Sequence, residues 1–437
     1  MQKIQKIKGT QDILPPESEK WQFVENTIRD IMHRYGYHEI RTPIFEETAL
    51  FARGIGQLTD IVSKEMYTFE DRGKKSLTLK PEGTAPVMRA VIEHSLTVAR
   101  PVNKLYYISP FFRQENPQSG RFRQFHQFGA EIIGSPMPEA DVETILLGLD
   151  IYRALGLSSF VLKINSVGDA ESRVNYKNVL KEWLKPHFDA LCRTCQERYE
   201  QNPLRILDCK ETECRRITAG APKMIDNLTP AAEEHFRAVL RMLEENDVAF
   251  EIDHRLVRGL DYYTYTAYEF IGSSLGAQNA LGGGGRYDLL AQELGGKPTP
   301  SVGFAAGIER LLMALEAENL LPETALRPDM YIATPGAEGR MQAYKLAQEL
   351  RAQGIRVETD LLGRSLKAQM REANRNGARL VAIAGESELQ AGKVVLKNLE
   401  NGEQQDVPLA QLGEIVRKML APIDSQTATV RAENRDS

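Results

Sequence analysis

An α+β domain on an antiparallel sheet, carrying a helical insertion and followed by a C-terminal α/β domain, is the fold class this sequence predicts. Three observations carry it. Residues 111–134 read as a β-hairpin, with two apolar runs flanking a polar centre, 114–120, that holds Pro117 and a Ser-Gly pair. From 175 to 246 the chain turns helical, charged and cysteine-bearing between two strand-rich regions. Beyond 327, short apolar strands alternate with helical stretches, the composition of a mixed or parallel sheet. The expected boundaries are therefore 1–326 for the first domain, 175–246 for the insertion within it, 327–422 for the α/β domain and 423–437 for a flexible, polar tail.

The elements follow in order. Ser18 caps a helix that runs to Arg34 and stops at Gly36. Residues 38–43 form a short strand ended by Pro43, and 76–79 form another before a Pro-Glu-Gly-Thr turn at 81–84. Residues 86–94 are helical, the hairpin comes next, and a helix covers 139–155. The insertion ends in an amphipathic helix over 231–245. Residues 250–270, rich in Tyr, Thr and Val, have strand character. The glycines at 282–285 make a flexible turn, and 304–316 is an apolar helix. Two prolines give 320–328 a linker composition. The last domain places strands at 331–334, 357–359, 380–384 and 394–399, with helices at 340–353, 365–376 and 412–420.

Composition narrows the function classes. The 437 residues are 42% hydrophobic and 26% charged, those of a globular protein of two or three domains. A net charge of −5 gives no global nucleic-acid footprint, so any RNA contact comes from local basic surface. No apolar run approaches the ~18 residues of a membrane span. Residues 1–8 alternate lysine with apolar residues and lack a signal core, so a cytoplasmic protein with no membrane partner is expected. Four cysteines cluster as a Cys192-x-x-Cys195 pair followed by Cys209 and Cys214. They suit a structural zinc, reduced thiols in a small insertion or a redox-sensitive pair, and no metal ligand is assigned.

The hairpin carries more function-grade polar groups than a sheet needs: Arg113, Glu115, Arg121, Arg123, Gln127 and Glu131. Arginine forks suit phosphate and carboxylate, and Phe125 can cover a nucleobase. A solvated charged strand face is the competing reading. P-loop, dinucleotide and zinc-protease motifs are missing. Any ATP chemistry must therefore use an antiparallel sheet with arginines.

The chain resembles the class II aminoacyl-tRNA synthetases, and within them the histidyl family. His38-Glu39-Ile40-Arg41-Thr42-Pro43 resembles the first class motif, the hairpin the second, and Gly303-Phe304-Ala305-Ala306-Gly307-Ile308-Glu309-Arg310 the third, a strand-to-helix element. Arg258-Gly259-Leu260-Asp261-Tyr262-Tyr263 and Gly283-Gly284-Gly285-Arg286-Tyr287-Asp288 resemble the histidine-specific segments; 9–15 and 79–84 agree.

The resemblance implies a class II catalytic domain and an anticodon-binding α/β domain. It implies an enzyme that joins L-histidine to ATP as an adenylate, releases pyrophosphate and charges tRNA(His). Catalytic roles fall to Arg113 and Arg258, the latter in the place of a magnesium ion used elsewhere in the class. Histidine is bound by Glu82, Thr84, Arg113, Gln127, Glu131, Arg258, Tyr262 and Tyr263, with Glu131 and Tyr263 facing the imidazole. ATP is bound by Arg113, Glu115, Arg121, Phe125 and Arg310, with Mg2+ on the triphosphate. The tRNA meets Gln118 and Arg123, and in the last domain Arg371 and Arg375. Arg364, Lys367, Arg371, Arg375 and Arg379 recur every three or four residues as a basic stripe against one acid, Glu372. A homodimer is implied by the first motif. Two departures are visible: Asn116 stands where relatives often carry arginine, and Leu289 where they often carry glycine. Unaided, Arg258 reads as a strand arginine paired with a nearby carboxylate such as Asp261. The rival function is a non-catalytic, synthetase-like regulatory subunit of ATP phosphoribosyltransferase.

Overall fold

A computed structural model describes residues 3–56, 59, 61–116, 120–273, 279–322, 327–337 and 339–420. Gln118 and the tail at 423–437 lie outside the described residues. The chain divides into two compact units, Met1–Pro322 and Glu323–Ser437.

An eight-stranded sheet organises the first unit, in the order His38–Glu39, Asn103–Phe112, Gln124–Ile133, Ser301–Gly307, Ala280–Arg286, Thr264–Gly272, Phe160–Gly168, Phe250–Ile252. Its inner pairings are antiparallel and the pairing at each edge is parallel. Strand periodicity separates the two faces. Phe128, Ala130 and Ile132 join Val302, Phe304 and Ala306 in one core, covered by the helices Glu17–Arg34, Pro138–Ala154, Pro230–Glu245 and Ile308–Ala317. The helix Glu17–Arg34 packs there through Trp21, Val24, Ile28 and Ile31, spaced three and four apart. The opposite face meets Val87, Met88, Tyr262, Tyr263 and Tyr287.

Several sequence expectations are corrected. Residues 282–285 are not a turn: they lie inside the strand Ala280–Arg286, hydrogen-bonded on both sides. Glycine there reflects crowding between neighbouring backbones rather than flexibility. Residues 301–307 are a strand, and the helix begins at Ile308. The apolar run looked helical because a strand buried in the sheet centre loses its polar alternation. Residues 250–270 split into Phe250–Ile252 and Thr264–Gly272, with an irregular segment between them. Ser18 caps nothing; the helix starts at Glu17 after Pro16, with no side-chain cap. Only His38–Glu39 of the 38–43 segment pairs in the sheet.

The insertion has its own small core, centred on Tyr176, Leu180, Leu184, Ile206 and the buried Cys195 and Cys214. The helix Pro230–Glu245 instead turns Phe236, Val239 and Leu243 into the main core. The second unit holds a five-stranded sheet, ordered Val357–Thr359, Met330–Ala333, Leu380–Ile383, Lys393–Asn398, Gln404–Pro408, parallel over the first three strands and antiparallel beyond. It is the mixed sheet that alternating strands and helices predict.

Candidate functional site

The site is built on the sheet face opposite the main core. In Gln124–Ile133 the alternation that sends Phe128 and Ala130 into that core leaves Phe125, Gln127 and Glu131 on the other side. Glu131 is 1% exposed. Its carboxylate accepts hydrogen bonds from Thr84 Oγ1 at 3.0 Å and from the Tyr287 hydroxyl at 2.5 Å. Burial nevertheless pushes its pKa up to about 8, because desolvation of the charged form outweighs both donors. The space for this carboxylate comes from Gly303 on the adjacent strand. A Cβ there would stand 1.7 Å from Glu131 Oε2.

A second acid lies beside it. Glu82 accepts the backbone N–H groups of Thr84 at 2.7 Å and Ala85 at 2.9 Å, at the start of the helix Thr84–Glu93. Those donors, with the helix dipole, favour the carboxylate, but burial still raises its pKa. Two buried acids are thus joined through Thr84, whose N–H bonds one and whose hydroxyl bonds the other.

An aromatic path leads from this acidic pole to a cationic one. Tyr287 packs on Tyr262 with centroids 5.6 Å apart, Tyr262 on Tyr263 at 4.8 Å, and the Arg258 guanidinium sits 5.5 Å from the Tyr263 centroid. Arg258 lies in the irregular segment before Thr264–Gly272 and is ion-paired through Nη1 with Glu269. The nearby carboxylate that pairs with it is thus Glu269 and not Asp261. The Asp261 carboxylate takes the Asn202 side-chain amide at 2.9 Å instead. Arg258 Nε is buried with no hydrogen-bond partner, the kind of donor that an anionic ligand satisfies.

A second cluster occupies the open end of the hairpin. Arg113 donates from Nε to the Pro81 carbonyl at 2.9 Å, lies 5.2 Å from the Phe125 centroid and approaches Glu115 at 3.9 Å. Glu115 accepts from Arg121 at 2.9 Å. Arg310 lies in the first turn of the helix Ile308–Ala317, which Glu309 ties to the hairpin by accepting the His126 backbone N–H at 2.9 Å. Burial, with Arg121 nearby, lowers the Arg310 pKa, so two guanidiniums converge on one region and a polyanion there is favoured. Arg123 is turned toward the N-terminal segment, donating to the Glu115 carbonyl at 3.3 Å and the Lys8 carbonyl at 3.5 Å.

The sequence-predicted residues therefore fall into groups. Glu82, Thr84, Glu131, Tyr262, Tyr263 and Arg258 are linked by contacts, and Arg113, Glu115, Arg121 and Phe125 form a second set. Gln127 shares the Glu131 strand face. Arg371 and Arg375 belong to the second unit, on the helix Leu366–Arg375. Arg364 and Arg379 lie outside that helix, so the stripe is narrower than expected. Arg364 pairs with Asp360 and Glu372, Arg379 with Glu400, and Arg375 with Glu372. Lys367 and Arg371 remain exposed. Sequence reasoning gave no role to Tyr287 or Glu269. Period-two reading of the strand Thr264–Gly272 carries a signal for Glu269, which faces away from the core residues Tyr268 and Phe270.

Comparison with known proteins gives the family. A family model described as "Histidyl-tRNA synthetase" matches residues 9–311, and one described as "Anticodon binding domain" matches 329–419. The chain is 51% identical to the histidine–tRNA ligase of Desulforamulus reducens over 93% of its own length and 97% of that protein's. It is 53% identical to that of Chloroherpeton thalassium over 94% and 97%. The crystal structure of apo S. aureus histidyl-tRNA synthetase superposes with a TM-score of 0.81 at 39% identity, covering 95% of this chain and all of that one.

Proposed function

The chain belongs to the histidyl-tRNA synthetase family, and from that premise we propose how its residues divide the work of a histidine–tRNA ligase. The enzyme uses ATP to activate L-histidine and transfers it to tRNA(His). In activation a histidine carboxylate oxygen bonds the α-phosphorus as the bond to pyrophosphate breaks. In transfer a hydroxyl of the terminal adenosine attacks the acyl carbon and AMP leaves. Neither step needs a protein nucleophile, so alignment and charge stabilisation carry the catalysis.

Arg258 and Arg113 neutralise the α-phosphate and the histidine carboxylate. The unpartnered Arg258 Nε and the placement of Arg113 over Phe125 support this. Arg310 and Arg121 hold the far phosphates, Phe125 covers adenine, and Glu115 helps orient the nucleotide. Mg2+ arrives on the triphosphate as part of the substrate. Among the described residues no three acidic groups converge there, so phosphate and water supply most of its ligands. Glu131 accepts an imidazole N–H while the Tyr263 hydroxyl meets the other ring nitrogen. Glu82, Thr84 and Gln127 hold the α-ammonium, with Tyr262 as a wall.

For the tRNA, Arg123 and Gln118 guide the acceptor end, and Arg371 and Arg375 track phosphates. A homodimer forms through the region of the first motif, supported by the exposed Ile44, Phe45 and Phe69. A monomer in sedimentation at working concentration contradicts that pairing. No described helix is long and apolar enough to cross a membrane, in keeping with a cytoplasmic location. The regulatory-subunit reading is the less supported one, since the D. reducens and C. thalassium relatives are named as ligases and match nearly the whole chain.

One observation carries the histidine reading: a carboxylate, Glu131, buried beside a second acid and held open by Gly303. Its test is Glu131→Gln. Histidine-dependent pyrophosphate exchange should fall by about 10²-fold or more, as when a buried partner of a substrate group is removed. Unchanged exchange rules out the imidazole contact.

A further inference from the structure

The four cysteines have no part in the chemistry above, yet they converge. Their Sγ atoms all lie within 4.8 Å of one another. Cys195, Cys209 and Cys214 are buried, and all four are free of disulfides. A tetrahedron with metal–sulfur bonds of about 2.3 Å has sulfur–sulfur edges of about 3.8 Å; Cys192 and Cys209 stand 3.9 Å apart. The Cys192 backbone N–H donates to Cys214 Sγ at 3.2 Å, the kind of bond that supports a metal-bound thiolate. The core around them is small, and cores of that size commonly need a staple.

The cluster also sits behind the segment that carries Arg258. Between Cys195 and Cys209 the chain runs through the turn Pro203–Ile206. Asn202 at its start donates to Asp261 at 2.9 Å. Leu204 and Arg205 line a crevice with Arg258, Asp261 and Tyr263. On the other side, Arg255 reaches the Leu207 carbonyl at 3.5 Å, and Val257 packs on the cysteine core. Arg258 is thus bracketed at 255, 257 and 261 by residues that contact the segments and core around the four cysteines.

We propose that Cys192, Cys195, Cys209 and Cys214 form a structural tetrathiolate zinc site that braces the Arg258 segment through Asn202, Val257 and Arg255. Zn2+ displaces four thiol protons to give a zinc–tetrathiolate of net charge −2, with no change in oxidation state. The site has no open coordination position, so its role is to hold the segment. The kinetic part of this proposal rests on the catalytic reading of Arg258; the metal part does not.

The experiment uses the full-length protein, purified without chelator. Elemental analysis should give one zinc per chain. Titration with a mercurial should release that zinc as four thiols react. Replacement by Co2+ should give thiolate charge-transfer bands and intense tetrahedral ligand-field bands. Less than stoichiometric zinc, iron in its place, or thiols that react without releasing metal overturns the site. The brace is tested by Asn202→Ala, which leaves all four ligands intact. It should keep one zinc and lower kcat for histidine-dependent exchange about tenfold or more, as misplacing a catalytic group does. Unchanged kcat in Asn202→Ala and in zinc-depleted protein overturns the brace. Arg258→Ala with full activity and one bound zinc would instead put the fault in the reading of Arg258.

Discussion

At the scale of single residues, Glu131 is the group to which the proposed histidine contact is assigned, and its environment is unfavourable to its own charge. Burial raises its pKa from 4.5 to about 8, against the pull of the Tyr287 and Thr84 donors, and Glu82 adds repulsion. The sign follows from proton counting. The unfolded chain ionises this group near 4.5, so between that pH and about 8 the folded state binds the extra proton. Stability is therefore lost as pH rises through that window, and Glu131→Gln removes its contribution to the slope. A ligand carrying an ammonium and an imidazole N–H favours the ionised form. Histidine affinity should therefore rise as pH approaches about 8, with proton release seen by calorimetry in buffers of different ionisation enthalpy. Proton release equal in wild type and Glu131→Gln contradicts this assignment. Glu82, Thr84 and Glu131 were legible in the sequence because each stands in a recognisable run. Tyr287 and Glu269 escaped for a physical reason. Their partners are set by sheet order, which joins positions more than 150 residues apart in one case and folds a strand back on Arg258 in the other.

At the scale of elements, the central strands are shaped by what they must leave empty. Gly303 pairs with Glu131 across the sheet, and an added Cβ would also meet the Ala130 carbonyl at 2.6 Å. Gly303→Ala should destabilise the fold by about 1–3 kcal/mol through overpacking. It should also displace the carboxylate, lowering histidine-dependent exchange more than ATP binding. Thermal unfolding together with ATP and histidine affinities checks this, and a variant with native exchange contradicts it. The hairpin could be read from its turn and flanking apolar runs, although its strands, Asn103–Phe112 and Gln124–Ile133, extend the first side well before residue 111. The glycine run at 282–285 and the apolar run at 304–307 misled for a shared reason. A strand at the centre of a covered sheet loses polar alternation and can take glycine where neighbouring backbones crowd it, so only its neighbours reveal it.

At the scale of the whole molecule, two units with separate cores divide the task. On the proposed reading the first activates the amino acid; the second supplies exposed cations on the helix Leu366–Arg375, in a chain of net charge −5. Lys367, Arg371 and Arg375 all face solvent. Replacing Arg371 and Arg375 with glutamine should weaken tRNA binding and reduce its salt slope by about one for each phosphate that the helix no longer neutralises. Histidine activation should be unaffected, and an unchanged slope would mean that the stripe is merely solvated. The alternation of strands and helices made most of this unit legible, but the exposed edge strand Gln404–Pro408 and the short helix Glu386–Gln390 were missed. The balance of its charges was not legible, because ion pairs to Asp360 and Glu400 come from segments outside the helix. The central claim joins both units, and one measurement addresses it most directly. Pyrophosphate exchange is followed across the amino acids, and then the charging of tRNA with the amino acid that supports it. The account predicts exchange with histidine, at least about 10⁴-fold weaker exchange with any other amino acid, and histidine attached to tRNA(His). Exchange with a different amino acid, or none with histidine, contradicts it.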